Sequence, residues 1–63
     1  MKNNIMTLRK IKGYSQSTLA QKCNVSRQTI NAIENSKYDP SLELAFKLAK
    51  ILNCTVDELF IFN

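Results

Sequence analysis

Apolar residues recur along this chain at helical spacing in five short runs, separated by polar and turn-forming residues. Ile5, Leu8 and Ile11 are spaced by three and predict an amphipathic helix of about two turns that stops at Gly13, with Arg9 on its other side. Leu19, Ala20 and Cys23 share one face of a second helix over about residues 16–23. Ile30, Ile33 and the stem of Glu34 share one face of a third, over about residues 27–35. A longer run from 41 to 53 has Leu42, Ala45, Phe46, Ala49 and Leu52 as its inward set. Leu44, Leu48 and Ile51 widen its apolar arc to about 220°, well past the ~100° stripe of an ordinary surface helix, so this helix needs cover on two sides. Val56, Leu59 and Phe60 predict a last short helix folded back onto it.

The starts and stops agree with that pattern. Ser15, Ser26 and Ser41 each precede an apolar run, where a hydroxyl accepts a hydrogen bond from an unpaired amide of the first turn. Thr55 with Glu58 three residues on has the form of a capping box. Glu43 and Lys50 sit at the ends of the long helix with the signs its dipole favours. Asn24 can enter the left-handed region and so close the second helix, leaving Val25 to plug the angle before the third. Lys37-Tyr38-Asp39-Pro40 is a connector: proline holds Asp39 extended and ends the third helix before it. Tyr38 either covers the edge of the core or donates its hydroxyl to the backbone.

The outward face of the third helix carries the candidate chemistry. Counting about 100° per residue from Ile30, the residues pointing away from the core are Gln28, Asn31, Ala32 and Asn35, with Arg27 on the flank. Amides, a guanidinium and a methyl lie there without a carboxylate. Gln and Asn can bond adenine at two points, Arg can do so with guanine, and Ala admits a thymine methyl. Asn and Gln are also common on any solvated helix face, so this face has weight only together with its surroundings.

Those surroundings supply it. Gln16, Leu19, Ala20, Val25, Ser26, Ile30 and Glu34, with Leu8, Arg9, Lys12, Gly13, Pro40, Leu42 and Ala49 outside the motif, resemble the helix-turn-helix of the phage-repressor, Cro-like or XRE family of DNA-binding proteins, over almost the entire chain. The resemblance implies an all-α, compact five-helix lambda-repressor-like domain over residues 1–63, with the helix-turn-helix formed by the second and third helices. It implies that Ser26, Arg27, Gln28, Asn31 and Ala32 face base edges in the major groove of double-stranded DNA. Gln16 would bond a phosphate and brace the residue opening the third helix, and Arg9, Asn35 and Lys37 are further candidates for backbone contacts. It also implies an ion pair between Arg9 and Glu34, with Glu34 a structural anion. Two positions depart from the family's pattern, Asn24 and Ser36, where it usually has glycine; a serine held at positive φ costs something that glycine would not.

Charge and composition narrow the function classes. Residues 1–37 hold seven lysines and arginines against one glutamate, a net +6, and the remainder holds two against four, a net −2. The positive charge lies around the two-helix motif, as in a domain that presents one side to a polyanion. A chain of 63 residues is one small domain and buries only about 60% of the surface it exposes when unfolded. No apolar run approaches the roughly 18 residues of a membrane span, and residues 1–8 lack the apolar core of a leader, so a cytoplasmic protein with no membrane partner is expected. Cys23 and Cys54 then read as small buried apolar residues rather than a disulfide, and two cysteines without histidine leave too few ligands for a closed zinc site. With Gly13 the only glycine there is no phosphate loop, and Asp57 and Glu58 have an ordinary dipole role. No enzyme, cofactor, metal or small-molecule substrate is expected.

The ending Phe60-Ile61-Phe62 is more apolar than a free terminus, and either packs back on the core or joins the fourth helix in a two-fold interface. A homodimer on two half-sites is favoured, because one short helix-turn-helix touches only a few base pairs. Leu44, Leu48, Ile51, Ile61 and Phe62 are its candidate contacts. The function expected is a sequence-specific transcriptional regulator, a repressor. The alternative is a protein-interaction module, such as an antitoxin or regulatory partner, acting through the fourth helix and the apolar C-terminus.

Overall fold

Five helices form where the apolar spacing places them, and a two-residue ladder that the spacing does not announce ties the ends of the chain together. The structure is a computed structural model and describes residues 1–62. In chain order the elements are β1 (Lys2–Asn3), α1 (Ile5–Ile11), α2 (Gln16–Cys23), α3 (Arg27–Glu34), α4 (Leu42–Ile51), α5 (Val56–Leu59) and β2 (Phe60–Ile61). Strand β1 runs antiparallel to β2, with Lys2 opposite Ile61 and Asn3 opposite Phe60. Helix α2 touches both α3 and α4, and α5 touches α4.

The four side-chain caps are in place. Ser15, Ser26 and Ser41 hydroxyls accept from the amides of Thr18, Thr29 and Leu44 at 3.0, 3.1 and 3.2 Å. Thr55 and Glu58 close a reciprocal capping box at 3.3 and 2.8 Å. Helices α1 to α4 share one kind of stop: Gly13, Asn24, Ser36 and Asn53 all take φ between 59° and 75°. After each, the next amide reaches back to a carbonyl of the last turn: Tyr14 to Arg9, Val25 to Ala20, Lys37 to Ala32 and Cys54 to Ala49. Three of those returning residues, Tyr14, Val25 and Cys54, pack against the core. The fourth, Lys37, is exposed.

The core contains Ile5, Leu19, Cys23, Ile30, Ile33, Leu48 and Leu59, each nearly inaccessible to solvent. It corrects two helix phases. In α1 the inward stripe is Ile5, the half-buried Leu8 and Arg9, whereas Ile11 is 75% exposed. Residues six apart on a helix have drifted about 120° from each other, so a spacing of three cannot hold one face over two turns. In α4 the buried set is Leu44, Ala45, Leu48 and Ala49, with Leu52 just beyond, while Leu42 and Phe46 are 72% and 58% exposed. An arc of over half the wheel has no unique inward direction, and packing of the other helices, α2 and α5 among them, buries the Leu44–Leu48 side. Helix α4 is also shorter than the 41–53 run, since Ser41 caps it and Asn53 lies past its end.

Candidate nucleic-acid interface

Helix α3 is held along its inner side by both apolar and ionic contacts. Ile30 and Ile33 are buried, and beside them the Glu34 carboxylate receives three donors: Arg9 Nε at 2.7 Å on one oxygen, Arg9 Nη2 at 3.2 Å and Gln16 Nε2 at 3.0 Å on the other. Arg9 Nη1 also donates to the Tyr14 carbonyl at 3.0 Å. The Arg9 and Glu34 side chains are only 10% and 5% exposed, and a shielded fork of this kind is worth keeping because an orphaned partner would be a buried bare charge. The fork speaks against Arg9 as a phosphate contact: three of its five N–H groups bond inside the protein, its side chain is almost wholly shielded, and it lies on the buried side of α1, not the opposite one.

From that anchor a chain of hydrogen bonds runs outward. Asn31 Nδ2 donates to Gln16 Oε1 at 3.4 Å, and Asn35 Nδ2 donates to Asn31 Oδ1 at 3.2 Å and to the Asn31 carbonyl at 3.0 Å. Gln16 therefore braces the middle and end of α3, not the residue that opens it. An amide has two N–H donors and two carbonyl lone pairs, so Asn31 keeps one of each free, which is the pair an adenine edge requires. Asn35 is the capping residue after α3 rather than its last helical one.

The remaining outward residues divide by how engaged they are. Arg27 and Gln28 are exposed, and neither side chain has a hydrogen-bond partner among the described residues. Ser26 is exposed, but its hydroxyl accepts from the Thr29 amide and lies 2.9 Å from Thr29 Oγ1, so it serves first as a cap. Ala32 is half-buried, with its carbonyl taken by the Lys37 amide at 2.9 Å. Lys37 stands exposed just past the helix, and Tyr38 is 53% exposed with no hydroxyl bond among the described residues. Sequence reasoning missed Asn3, whose side chain meets the exit of α3 from thirty residues away; no spacing rule links the two.

Opposite kinds of surface lie elsewhere. An open, mostly apolar groove of about 850 Å³ runs between α4 and the C-terminal segment, lined by Phe46, Lys50, Val56, Asp57, Phe60 and Phe62, among others. Leu44 and Leu48 lie in the core and cannot form part of a surface, which corrects two of the five candidate dimer contacts. Ile51 is half-buried, and Ile61 and Phe62 are 41% and 89% exposed. Burial pushes the thiols of Cys23 and Cys54 up from their ordinary range, Lys47 slightly opposing at the first and Glu58 adding at the second, so neither is primed as a thiolate. Both are free. Among the described residues no three His, Cys, Asp or Glu side chains come together as a metal site, and no helix is long and apolar enough to cross a membrane.

Comparison with known proteins places this geometry. A family model described as helix-turn-helix matches residues 5–59. An uncharacterised HTH-type transcriptional regulator of Methanocaldococcus jannaschii is 50% identical over 63 residues, spanning 100% of this chain and 96% of that one. Among solved structures, the restriction-modification controller protein C.AhdI of Aeromonas hydrophila is similar with a TM-score of 0.81 at 36% identity, over 89% of this chain and 85% of its own. SinR of Bacillus subtilis, the master regulator for biofilm formation, solved in complex with DNA, is similar with a TM-score of 0.74 at 38% identity, over 82% of this chain and 84% of that one.

Proposed function

The chain belongs to the helix-turn-helix family of DNA-binding transcriptional regulators, and from that premise we propose that it is a sequence-specific repressor that lays α3 in the major groove of double-stranded DNA. The observation that carries the reading is the contrast between the two sides of α3. One side is locked by Ile30, Ile33 and the Arg9–Glu34 fork, and the other offers Arg27, Gln28 and half of the Asn31 amide to whatever approaches. A rod fixed in this way meets base edges without first having to order itself. Gln28 and Asn31 suit adenine, Arg27 suits guanine and the Ala32 methyl suits thymine. Ser26 would contribute from the cap. Lys37, the one basic and exposed residue among the four that follow helix stops, is placed for a phosphate, with Asn35 beside it and the second N–H of Gln16 available to another. The family's role fits a cytoplasmic protein acting on the genome. A small body seated on a promoter excludes other proteins from that stretch, which is how it would repress.

The second half of the proposal is a homodimer through the groove of α4. Leu42, Phe46, Ile61 and Phe62 are large, apolar and exposed on this part of the molecule. Lys50 and Asp57 both line the groove. In an isologous interface residue i of one copy meets residue j of the other and j meets i, so a groove carrying one cation and one anion on either side of an apolar centre is complementary to itself. The same surface suits the competing reading, a module that binds another protein as an antitoxin does. A salt titration on random duplex separates DNA binding from that reading. DNA binding falls steeply with ionic strength through counterion release, whereas a dry protein interface does not.

Selection of bound duplexes from a random pool tests the whole proposal. It should return a site of two related half-sites about one helical turn apart. On that operator Gln28→Ala should cost about 1–3 kcal/mol and relax preference at one position. Lys37→Ala should weaken operator and random duplex alike and lower the salt slope by about one. If both variants lose equally on the two DNAs, the assignment of reading and positioning roles is wrong.

A further inference from the structure

We propose that Asn3 is a positioning residue for DNA reading: by anchoring the exit of α3 to the strand pair at the chain ends, it sets the pose in which α3 meets the bases. The inference rests on α3 being the reading helix. Asn3 Nδ2 donates to the Ile33 carbonyl at 2.8 Å, and Asn3 Oδ1 accepts from the Ile5 amide at 3.2 Å. The Ile33 carbonyl already receives the Ser36 amide at 3.0 Å, so both of its lone pairs are used. Next to this bond the Ser36 hydroxyl donates to the Met1 carbonyl at 2.9 Å. On its other side β1 is laddered to β2, and the Asn4 amide donates to the Leu59 carbonyl at 2.8 Å. The end of the recognition helix is thus hydrogen-bonded, through Asn3 of β1 and Met1 just before it, to the frame that α5 and β2 form.

Apolar contacts are non-directional and hold a helix against sliding or tilting only through close packing. Hydrogen bonds are directional, weakening steeply as the angle closes. Apart from Asn3, the polar ties of α3 to the domain core run to α1 and α2, through Arg9 and Gln16 on Glu34 and through the longer bond from Asn31 to Gln16. Asn3 supplies a tie from a different part of the chain, on the strand pair, and so restricts tilts of α3 that the first set leaves open. Reading a base at two points needs its donor and acceptor placed within a few tenths of an ångström, whereas a phosphate contact tolerates more. Loss of the Asn3 tie should therefore degrade discrimination before it degrades overall attraction.

The test uses the full chain with Asn3→Ala and Asn3→Asp. The aspartate keeps an oxygen for the Ile5 amide and removes the donor, which serves the Ile33 carbonyl and, at 3.4 Å, the neighbouring Met1 carbonyl. For each variant the ratio of operator to random-duplex affinity is measured, together with amide exchange at Asn35, Ser36 and Lys37 in the free protein. Partial unfolding lowers both affinities by the same factor and leaves the ratio alone, and the added charge of aspartate acts on both DNAs alike. We expect the ratio to fall about tenfold in both variants, with exchange at the three amides accelerated while that of Leu48 and Ala49 in α4 is unchanged. Asn3→Gln, which retains the amide on a longer stem, should recover part of the ratio. An unchanged ratio, or equal losses on the two DNAs, overturns the positioning role. A wild-type protein without any operator preference instead removes the reading of α3 on which it rests, and unchanged exchange in both variants would remove the anchor itself.

Discussion

Glu34 shows how much a single side chain does here. Its carboxylate accepts from two nitrogens of Arg9 and one of Gln16, and so joins α1, α2 and α3 at one point. Removing the anion strands a guanidinium that is only 10% exposed, so Glu34→Ala should destabilise the fold by about 3–5 kcal/mol. Urea unfolding followed by far-ultraviolet circular dichroism checks this, and an unchanged midpoint would remove the fork from the list of what holds the fold. At this scale the sequence supports two readings of Arg9, as a phosphate contact and as a partner of Glu34. The second needs a separation of 25 residues to be closed in space, and its closure shields the guanidinium from the surface where a phosphate would lie. Asn31 is the opposite case. Periodicity alone turned it outward, but the bond it donates to Gln16 and the one it accepts from Asn35, which leave it one donor and one acceptor, are known only from the structure.

At the scale of elements, boundaries follow local chemistry closely. Every serine or threonine expected to cap a helix does so, because the bond it makes lies within three residues of it. The short α5 depends on its cap most. With four residues it has almost no internal ladder, yet it delivers Leu59 and Phe60 to the core. Thr55→Ala should therefore cost about 1 kcal/mol and lower the melting temperature by about 4–8 °C, a shift readable by calorimetry. A melt within a degree of the parent would mean that burial of Leu59, not the capping box, orders this turn. The stops at Asn24, Ser36 and Asn53 repeat with three residues what glycine does at position 13, and only Gly13 and Asn24 were evident from residue type. Helix phase was less evident. In α3 two isoleucines and a string of amides define one inward direction, whereas α4 is apolar over so much of its circumference that Leu42 and Phe46 could exchange places with Leu44 and Leu48.

For the whole molecule the consequence is that the apolar surface lies on a different edge of α4 from the one its sequence suggests. Phe46 and Phe62 flank the groove, with Leu42 exposed nearby. A second copy seated there predicts that Phe46→Glu yields monomers in sedimentation equilibrium at concentrations where the parent dimerises. Its affinity for a full operator should fall to that for a half-site while binding to one half-site stays as it was. Binding of the variant to full operator as tightly as the parent would sever dimerisation from this face. The charge asymmetry is compatible with this arrangement, since Lys50 and Asp57 balance each other at the groove while the excess of lysine and arginine lies in the first 37 residues.

What the sequence determined by itself is whatever is encoded within about one helical turn: where the capped helices begin, where α1 and α2 end, which side of α3 is apolar, and which of its side chains therefore point away from the core. These are set by hydrogen bonds and side-chain periodicities that span three or four residues, so they can be read without knowing where the rest of the chain lies. Tertiary structure alone decided the facing of α1 and α4, the withdrawal of Arg9 from the surface, the pairing of β1 with β2 and the grip of Asn3 on Ile33. Each of these depends on which of several apolar or polar partners, dozens of residues away, reaches a given side chain first, and that choice is made by the packing of all the helices at once.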